Sequence, residues 1–193
     1  MNDDSMSKNG SGEAESRKRL SWVQWCWFVT ACVLLSAAIL TFTANDLVNV
    51  SPVLGASMLL AGCVNILIYH KNQGRLHGSH WLIADGMSTA LLSLFLLFNQ
   101  MIQSAMIPFF LGVWELFTGV LKTIDAKELK SSRIRGWSWF CGIGAIEVLS
   151  GIAALLKPIE DFVGMDIVAG AVLVVQGVGY FFKVLIYPRI SEG

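Results

Sequence analysis

Charged residues are scarce in this chain. Aspartate, glutamate, lysine and arginine make up 15% of its 193 residues, whereas a soluble domain carries about 25%. Hydrophobic residues make up 54%, and the mean hydropathy is +0.60. This composition excludes an ordinary soluble domain and favours a protein whose surroundings are lipid.

Cysteines and catalytic motifs are scarce as well. The four cysteines all lie inside apolar segments, where they indicate small apolar side chains rather than a disulfide or zinc framework. They are Cys26, Cys32, Cys63 and Cys141. No nucleotide-binding loop, nucleophile elbow or HExxH metal motif occurs in the sequence. The sequence therefore predicts no enzyme, no cofactor and no metal site.

Six apolar segments are long enough to cross a bilayer, which takes about 20 residues of α-helix. They cover residues 22–44, 52–69, 81–98, 103–124, 137–156 and 162–186. We therefore predict an all-α membrane protein with six transmembrane helices. Residues 1–17 are polar and are predicted to form a disordered cytoplasmic tail, which leaves residues 18–190 as a six-span membrane domain.

Basic residues divide unevenly between the two sides of these six spans. Thirteen of the 14 lysines and arginines fall on the side of the two termini if every segment spans: Lys8, Arg17, Lys18, Arg19, Lys71, Arg75, Lys122, Lys127, Lys130, Arg133, Arg135, Lys183 and Arg189. Only Lys157 falls on the other side. Because loops rich in lysine and arginine stay in the cytoplasm, both termini are predicted to be cytoplasmic. The basic residues flank apolar segments, so we expect the lipid bilayer as a partner and no nucleic acid.

Glycines seven residues apart recur along the chain. The pairs in the second, fourth and sixth segments are offset by 57 and 58 residues, and the fifth segment carries a further pair. They are Gly55 and Gly62, Gly112 and Gly119, Gly170 and Gly177, and Gly144 and Gly151. Seven residues bring a side chain back to within about 20° of the same helix face, so each pair forms a smooth stripe for helix packing. The common offset predicts three parallel repeats of a helical hairpin, over residues 18–74, 75–132 and 133–190.

The repeated hairpin pattern resembles the HdeD acid-resistance family of membrane proteins. The features that carry the resemblance are the glycine pairs of the even-numbered segments and the series Gly144, Gly151 and Pro158 in the fifth segment. The resemblance covers about residues 20–188, and the first segment departs from the pattern with Val29 and Ser36 at its two glycine positions. It implies a six-span protein of the bacterial inner membrane that is linked to acid stress, and it brings no established catalytic residues.

The same G-x-x-E-x-x-x-G stretch occurs in the fourth and fifth segments, with Glu115 and Glu147 as its acidic residues. Each glutamate is expected near mid-membrane on the glycine face of its helix, where an ionised carboxylate is costly. One hypothesis is a proton-responsive pair. The alternatives are acids that join helices, either neutral or paired with Lys122 or Lys183, and acids that bind a substrate. The sequence leaves these hypotheses open.

The resemblance therefore implies an HdeD-like inner-membrane protein that acts in acid or stress resistance, and the sequence shows no motif for a catalysed reaction. A small proton-coupled transporter or channel that uses Glu115 and Glu147 remains an alternative, as does a membrane scaffold. Protein partners, either a second copy of this chain in a homo-oligomer or other membrane proteins, are left open.

Overall fold

The structure is a computed structural model that describes the backbone of residues 3–43, 47–72, 79–98, 106–131, 133, 136–156 and 164–191. Every long element within these residues is an α-helix. The six helices are α1 (Asp3–Phe42), α2 (Leu47–Lys71), α3 (Ser79–Phe98), α4 (Met106–Ser131), α5 (Trp137–Leu155) and α6 (Met165–Ser191). The all-helical fold predicted from the sequence is thereby confirmed.

Five of the six helices are long and apolar enough to cross a membrane. Their spans are Ser21–Phe42 in α1, Asn49–Lys71 in α2, Trp81–Phe98 in α3, Trp137–Leu155 in α5 and Asp166–Leu185 in α6. The described part of α4, which contains Glu115, Lys122 and Asp125, is not among these spans. These helices indicate a multi-pass integral membrane protein, and the sixth span stays a prediction.

Large apolar side chains cover the outside of the helix bundle. The exposed fraction is 78% for Phe98, 67% for Leu149 and 66% for Leu91. So much exposed apolar surface would be a liability in water, whereas in a bilayer these side chains contact lipid tails. The outer surface therefore agrees with the lipid bilayer that the sequence predicts as a partner.

The amino-terminal segment differs from the expected disordered tail. The structure carries α1 back to Asp3, so most of the segment 1–17 continues the first apolar helix. Adding residues to an existing helix costs far less than starting one, because each new residue gains a backbone hydrogen bond. The glutamate, alanine, lysine and arginine residues of this segment are also good helix formers.

The six helices follow one another around a ring in chain order, and α6 packs against α1 to close it. Tight and loose contacts alternate around this ring. The tight pairs are α2 with α3, α4 with α5, and α6 with α1. The looser pairs are α1 with α2, α3 with α4, and α5 with α6, which are the three hairpins predicted from the sequence. The closest packing therefore lies between neighbouring predicted repeats rather than within one.

The even-numbered helices lie nearer the centre of the ring than the odd-numbered ones. Within the apolar spans, 44% of residues are buried in α2 and 56% in α6, against 39% in α1 and 28% in each of α3 and α5. α4 also contacts both α2 and α6 across the interior. Polar side chains on the inner faces of these three helices are consequently shielded from lipid.

Two of the tight pairs bring helix backbones into direct contact through glycines. A Cβ atom placed on Gly119 of α4 would lie 2.8 Å from the carbonyl oxygen of Gly144 on α5. A Cβ atom on Gly62 of α2 would lie 2.8 Å from the carbonyl oxygen of Gly86 on α3. Real Cβ atoms essentially never approach another heavy atom within 3.0 Å, so these crossings accept only glycine without a backbone shift.

A second glycine crossing fixes the register of α4 against α5. A Cβ atom on Gly151 would lie 2.8 Å from the carbonyl oxygen of Gly112 and 2.6 Å from the backbone nitrogen of Leu116. Because Gly112 faces Gly151 and Gly119 faces Gly144, the two helices run antiparallel. The glycine pair of α4 therefore packs against the glycine pair of α5.

The remaining glycines of the predicted stripes have side-chain atoms, rather than backbone atoms, as their closest neighbours. A Cβ atom on Gly177 of α6 would meet the side chain of Leu35 at 2.8 Å, and one on Gly170 would meet an aromatic ring of α1. Gly55 of α2 likewise faces the side chain of Leu97, at 2.8 Å. Flexible side chains can shift, so these three positions have more room to adapt than the backbone crossings.

Candidate functional site

Buried polar side chains run along the centre of the bundle. Nine of them lie on five helices, and none is more than 6% exposed. They are Asn65, Asp85, Glu115, Thr118, Lys122, Glu147, Gln176, Tyr180 and Lys183, and we call them the axial cluster. On α4 and α6 the members are spaced three or four residues apart, so they line one face of each helix.

Glu147 is paired with a lysine. The Nζ atom of Lys122 on α4 donates to Oε1 of Glu147 on α5, and both side chains are buried. Lys122 Nζ also lies 3.4 Å from Oε1 of Gln176, whose Nε2 donates to the hydroxyl of Thr118. The ion pair is thus held by polar groups on three helices, and it joins α4 to α5 with α6 alongside.

A glycine that the sequence analysis did not select makes room for this ion pair. A Cβ atom on Gly179 of α6 would lie 2.8 Å from Oε1 of Glu147 and 3.0 Å from Nζ of Lys122. Any larger residue would press on both charged atoms. Gly179 therefore belongs to the site because its missing side chain leaves room for the Lys122–Glu147 ion pair.

Glu115 lies in a different environment. Its side chain is 0% exposed, and neither carboxyl oxygen has a hydrogen-bond partner among the described residues. Gln176 and Ser150 lie close enough to interact with its carboxyl, but neither meets hydrogen-bond geometry with it. An unpaired carboxylate is expensive to bury, whereas the neutral, protonated carboxyl is much less so.

Helix direction explains why the two matched glutamates differ. In the glycine register of α4 and α5, the two acids lie at nearly the same depth, because residues 115 and 148 face each other and so do residues 116 and 147. Side chains on an α-helix tilt toward its amino terminus. Since the helices are antiparallel, Glu147 tilts toward Lys122 while Glu115 tilts away from it.

A second buried ion pair lies farther along the cluster. Nζ of Lys183 on α6 is 3.5 Å from Oδ2 of Asp85 on α3. Nδ2 of Asn65 on α2 donates to the same Asp85 oxygen at 2.8 Å and to the hydroxyl oxygen of Tyr180 at 2.8 Å. The indole nitrogen of Trp27 donates to Oδ1 of Asn65 at 3.3 Å. Four helices therefore meet at Asn65.

Tyr180 connects the two ion pairs. Its ring centre is 5.9 Å from Nζ of Lys122 and 4.5 Å from Nζ of Lys183. The aromatic face attracts both ammonium groups. Polar contacts therefore continue from the depth of Glu115 to Lys183, a distance of about 10 Å along the seven residues from Gln176 to Lys183 at 1.5 Å per residue.

The axis is apolar on the opposite side of Glu115. Leu54 on α2, Leu111 on α4 and Ala169 on α6 are each 0% exposed and belong to one contiguous apolar cluster. These three positions have the 57- and 58-residue offsets of the predicted repeat. They form an apolar layer between Glu115 and the amino-terminal ends of the even-numbered helices, and we call it the apolar plug.

No large cavity opens onto the axial cluster among those described. Cavities of about 580, 310 and 290 Å³ lie between α1 and α2, between α1 and α6, and between α5 and α6, and no member of the axial cluster lines them. The described residues also contain no group of three or more histidine, cysteine or acidic side chains that could hold a metal ion.

The structure places both predicted acids in the centre of the bundle and brings only Glu147 to a lysine. Lys183, the other candidate partner, lies against Asp85 instead. Sequence reasoning did not select Asp85, Gln176 or Tyr180 as site residues. The available signal was the spacing of Gln176, Tyr180 and Lys183 in an otherwise apolar helix, which places three polar side chains on one face.

Comparison with known proteins identifies one related family. Residues 84–156 match the model of a short repeat of unknown function (DUF308). Neither the curated proteins nor the solved structures gave a match. The chain is thus similar to the DUF308 repeat over the segment that contains Glu115, Glu147 and most of the α3, α4 and α5 helices.

Proposed function

We propose that this protein is an HdeD-like protein of the bacterial inner membrane that acts in resistance to acid or related stress. The DUF308 repeat is found in HdeD-like membrane proteins, which supports the resemblance based on the glycine and proline pattern. The observation that carries the proposal is the fully buried carboxyl of Glu115, which has no hydrogen-bond partner among the described residues. Its charge depends on proton binding, so acidification acts directly on the centre of the bundle.

The proposal includes six spans in three repeats, with α4 as the fourth span and both termini in the cytoplasm. α4 packs between α3 and α5 in the ring, and each of those helices is apolar enough to span. The alternation of tight and loose helix pairs has the threefold period of the predicted repeat. The uneven division of lysine and arginine supports the orientation.

Reporter fusions test this topology. Fusions at Lys71, Lys130 and Gly193 should report the cytoplasm, and a fusion at Glu160 should report the opposite side. A signal from the opposite side at Lys130 would remove α4 from the set of spans and break the repeat.

The proposed function involves no catalysed reaction. The second candidate is a proton-coupled transporter that uses Glu115 and Glu147. The buried polar contacts between Gln176 and Lys183 favour it, whereas the apolar plug weighs against a path across the whole membrane. Proton flux into vesicles that contain the purified protein distinguishes the two candidates, because the stress-response proposal expects no flux above that of empty vesicles.

Deletion of the gene in its host tests the proposed function. The deletion strain should survive acid challenge less well than its parent, and expression of the wild-type chain should restore survival. Glu115→Gln, which cannot change charge, should fail to restore it. Val120→Leu is the matched control, because Val120 lies on the same helix and faces outward at 41% exposure. Equal acid survival of the parent and the deletion strain would overturn the proposal.

A further inference from the structure

We infer that Glu115 is a proton-binding site that exchanges protons with only one side of the membrane, the side on which α2, α4 and α6 end. The axial cluster is its route to that side, and the apolar plug closes the other. The inference deepens the proposed function and rests on the same carboxyl. Under the proposed topology, the side in question is the cytoplasm.

The route on the open side consists of polar groups in successive contact. Gln176 lies close enough to Glu115 to interact with its carboxyl, and it contacts both Thr118 and Lys122. Lys122 binds Glu147 and lies over the Tyr180 ring. Tyr180 accepts a hydrogen bond from Asn65, which also binds the Asp85–Lys183 pair.

Free acceptor atoms occur at each stage of this route. Three carboxyls of the cluster carry buried oxygens without a hydrogen-bond partner among the described residues: both oxygens of Glu115, Oε2 of Glu147 and Oδ1 of Asp85. Each is a lone-pair acceptor for a proton. A proton that arrives at the Asp85 end therefore has acceptors on α3, α5 and α4 in turn.

Two charged side chains act on Glu115 directly, Lys122 on α4 and Glu147 on α5. The other titratable and charged side chains of the packed helices lie farther away, around Glu147 and Lys183: Asp125 on α4, Asp85 on α3, and Tyr180 and Lys183 on α6. The α2 helix contributes Asn65, which does not titrate. All of these lie on the open side of Glu115 or level with it.

Apart from the Ser150 hydroxyl, which lies beside Glu115, the described residues place no comparable acceptor and no buried carboxyl on the closed side. Leu54, Leu111 and Ala169 fill the axis. The buried hydroxyls near this end belong to Thr41, Ser57 and Ser93, and each donates to a carbonyl of its own helix. A proton would have to cross this layer without a partner, which is strongly unfavourable in a low-dielectric interior.

The chemical step is a simple protonation. A carboxylate oxygen of Glu115 takes one proton from water on the open side and becomes a neutral carboxyl, and no other bond forms or breaks. Because the site equilibrates with a single compartment, it reports the pH of that compartment and conducts no current. The bundle would then work as a pH sensor rather than as a channel.

Infrared spectroscopy of the full-length protein in phospholipid vesicles tests this inference. The carboxyl band that is present in the wild type and missing in Glu115→Gln identifies Glu115. The pH is changed on one side while a membrane-impermeant buffer holds the other constant, and protease access to a carboxy-terminal tag gives the orientation. The band should follow the pH on the side of the tag and ignore the pH on the other side.

Three results would overturn the inference. A band that follows the opposite side places the route at the wrong end, a band that follows both sides indicates a channel, and a band that follows neither shows that Glu115 does not exchange protons. None of these results depends on acid survival, so the failure of the sensor and the failure of the proposed function can be told apart.

A variant of the apolar plug sharpens the test. Leu111→Ser introduces a hydroxyl into the closed side, and the Glu115 band should then respond to both compartments. Leu54→Ser is a second variant on another helix in case Leu111→Ser does not fold. Val120→Ser makes the same kind of change on the outward face of α4 and should keep the one-sided response. If a folded plug variant also kept the one-sided response, the apolar plug would not be the barrier to protons.

Discussion

The α4 and α5 helices carry the same G-x-x-E-x-x-x-G stretch, yet they use its two parts differently. Their glycines do the same work, since each pair meets the other across one helix interface. Their glutamates do not, since Glu147 binds Lys122 while Glu115 has no partner among the described residues. A local motif therefore fixed how closely the helices approach, whereas helix direction decided which acid met a cation.

The largest expected effect comes from breaking the glycine contact between α4 and α5. Gly119→Leu places a side chain where a Cβ atom alone would lie 2.7 Å from the backbone nitrogen of Val148. The helices must separate, so we expect almost no folded protein in detergent extracts. Val120→Leu changes the outward face of the same helix and should leave the folded yield unchanged. Equal yields from the two variants, measured by size-exclusion chromatography, would contradict the backbone contact.

The next largest effect comes from the acid that has a partner. Glu147→Gln removes the negative charge and leaves the Lys122 ammonium buried without a counter-charge, a change that typically costs about 3–5 kcal/mol. Thermal unfolding in detergent should therefore shift strongly downward.

A double variant separates the loss of the pair from the loss of shape. Glu147→Leu with Lys122→Met replaces both charges by apolar groups, and such replacements are often neutral or stabilising. The double variant should be more stable than Glu147→Gln. If it were less stable, the ion pair itself would be a net source of stability.

The sequence predicted what depends on local spacing. The apolar segments gave the six helices, and the seven-residue glycine spacing indicated which helix faces are smooth. It did not predict which smooth faces meet, because α2 packs most closely on α3 and α6 closes on α1 through the geometry of the whole ring. The contact between Lys183 and Asp85 joins residues 98 positions apart, and no local pattern encodes such a pair.

The position of Gly179 illustrates the same limit. Nothing in its neighbourhood in the sequence marks it as different from the other glycines of α6, because its role comes from a charged pair on two other helices. Such a role appears only when the three helices are placed together.

A smaller effect is expected from crowding the ion pair. Gly179→Ala puts a methyl group within about 3 Å of both charged atoms, and overpacking of this kind costs about 1–3 kcal/mol. Gly142→Ala is the control, since a Cβ atom on Gly142 meets no heavy atom within 4 Å. Alanine is the better helix former, so Gly142→Ala should be neutral or slightly stabilising in thermal unfolding. A comparable loss from both variants would show that the space beside the ion pair is unimportant.

The smallest effect is expected at the acid without a partner. Glu115→Gln should change stability at acidic pH by about 1 kcal/mol or less, because the amide and the neutral carboxyl bury similar polar atoms. The pH dependence should separate the two proteins. In the folded wild type, Glu115 must either keep its proton or carry a buried charge, whereas in the unfolded chain it releases the proton freely. The free energy of unfolding of the wild type should therefore fall as the pH rises, and the variant should lack this slope. Unfolding temperatures measured from acidic to alkaline pH give both curves. A large loss in Glu115→Gln at acidic pH, of the size expected for Glu147→Gln, would show that Glu115 is ionised and paired, and the contrast between the two matched glutamates would disappear.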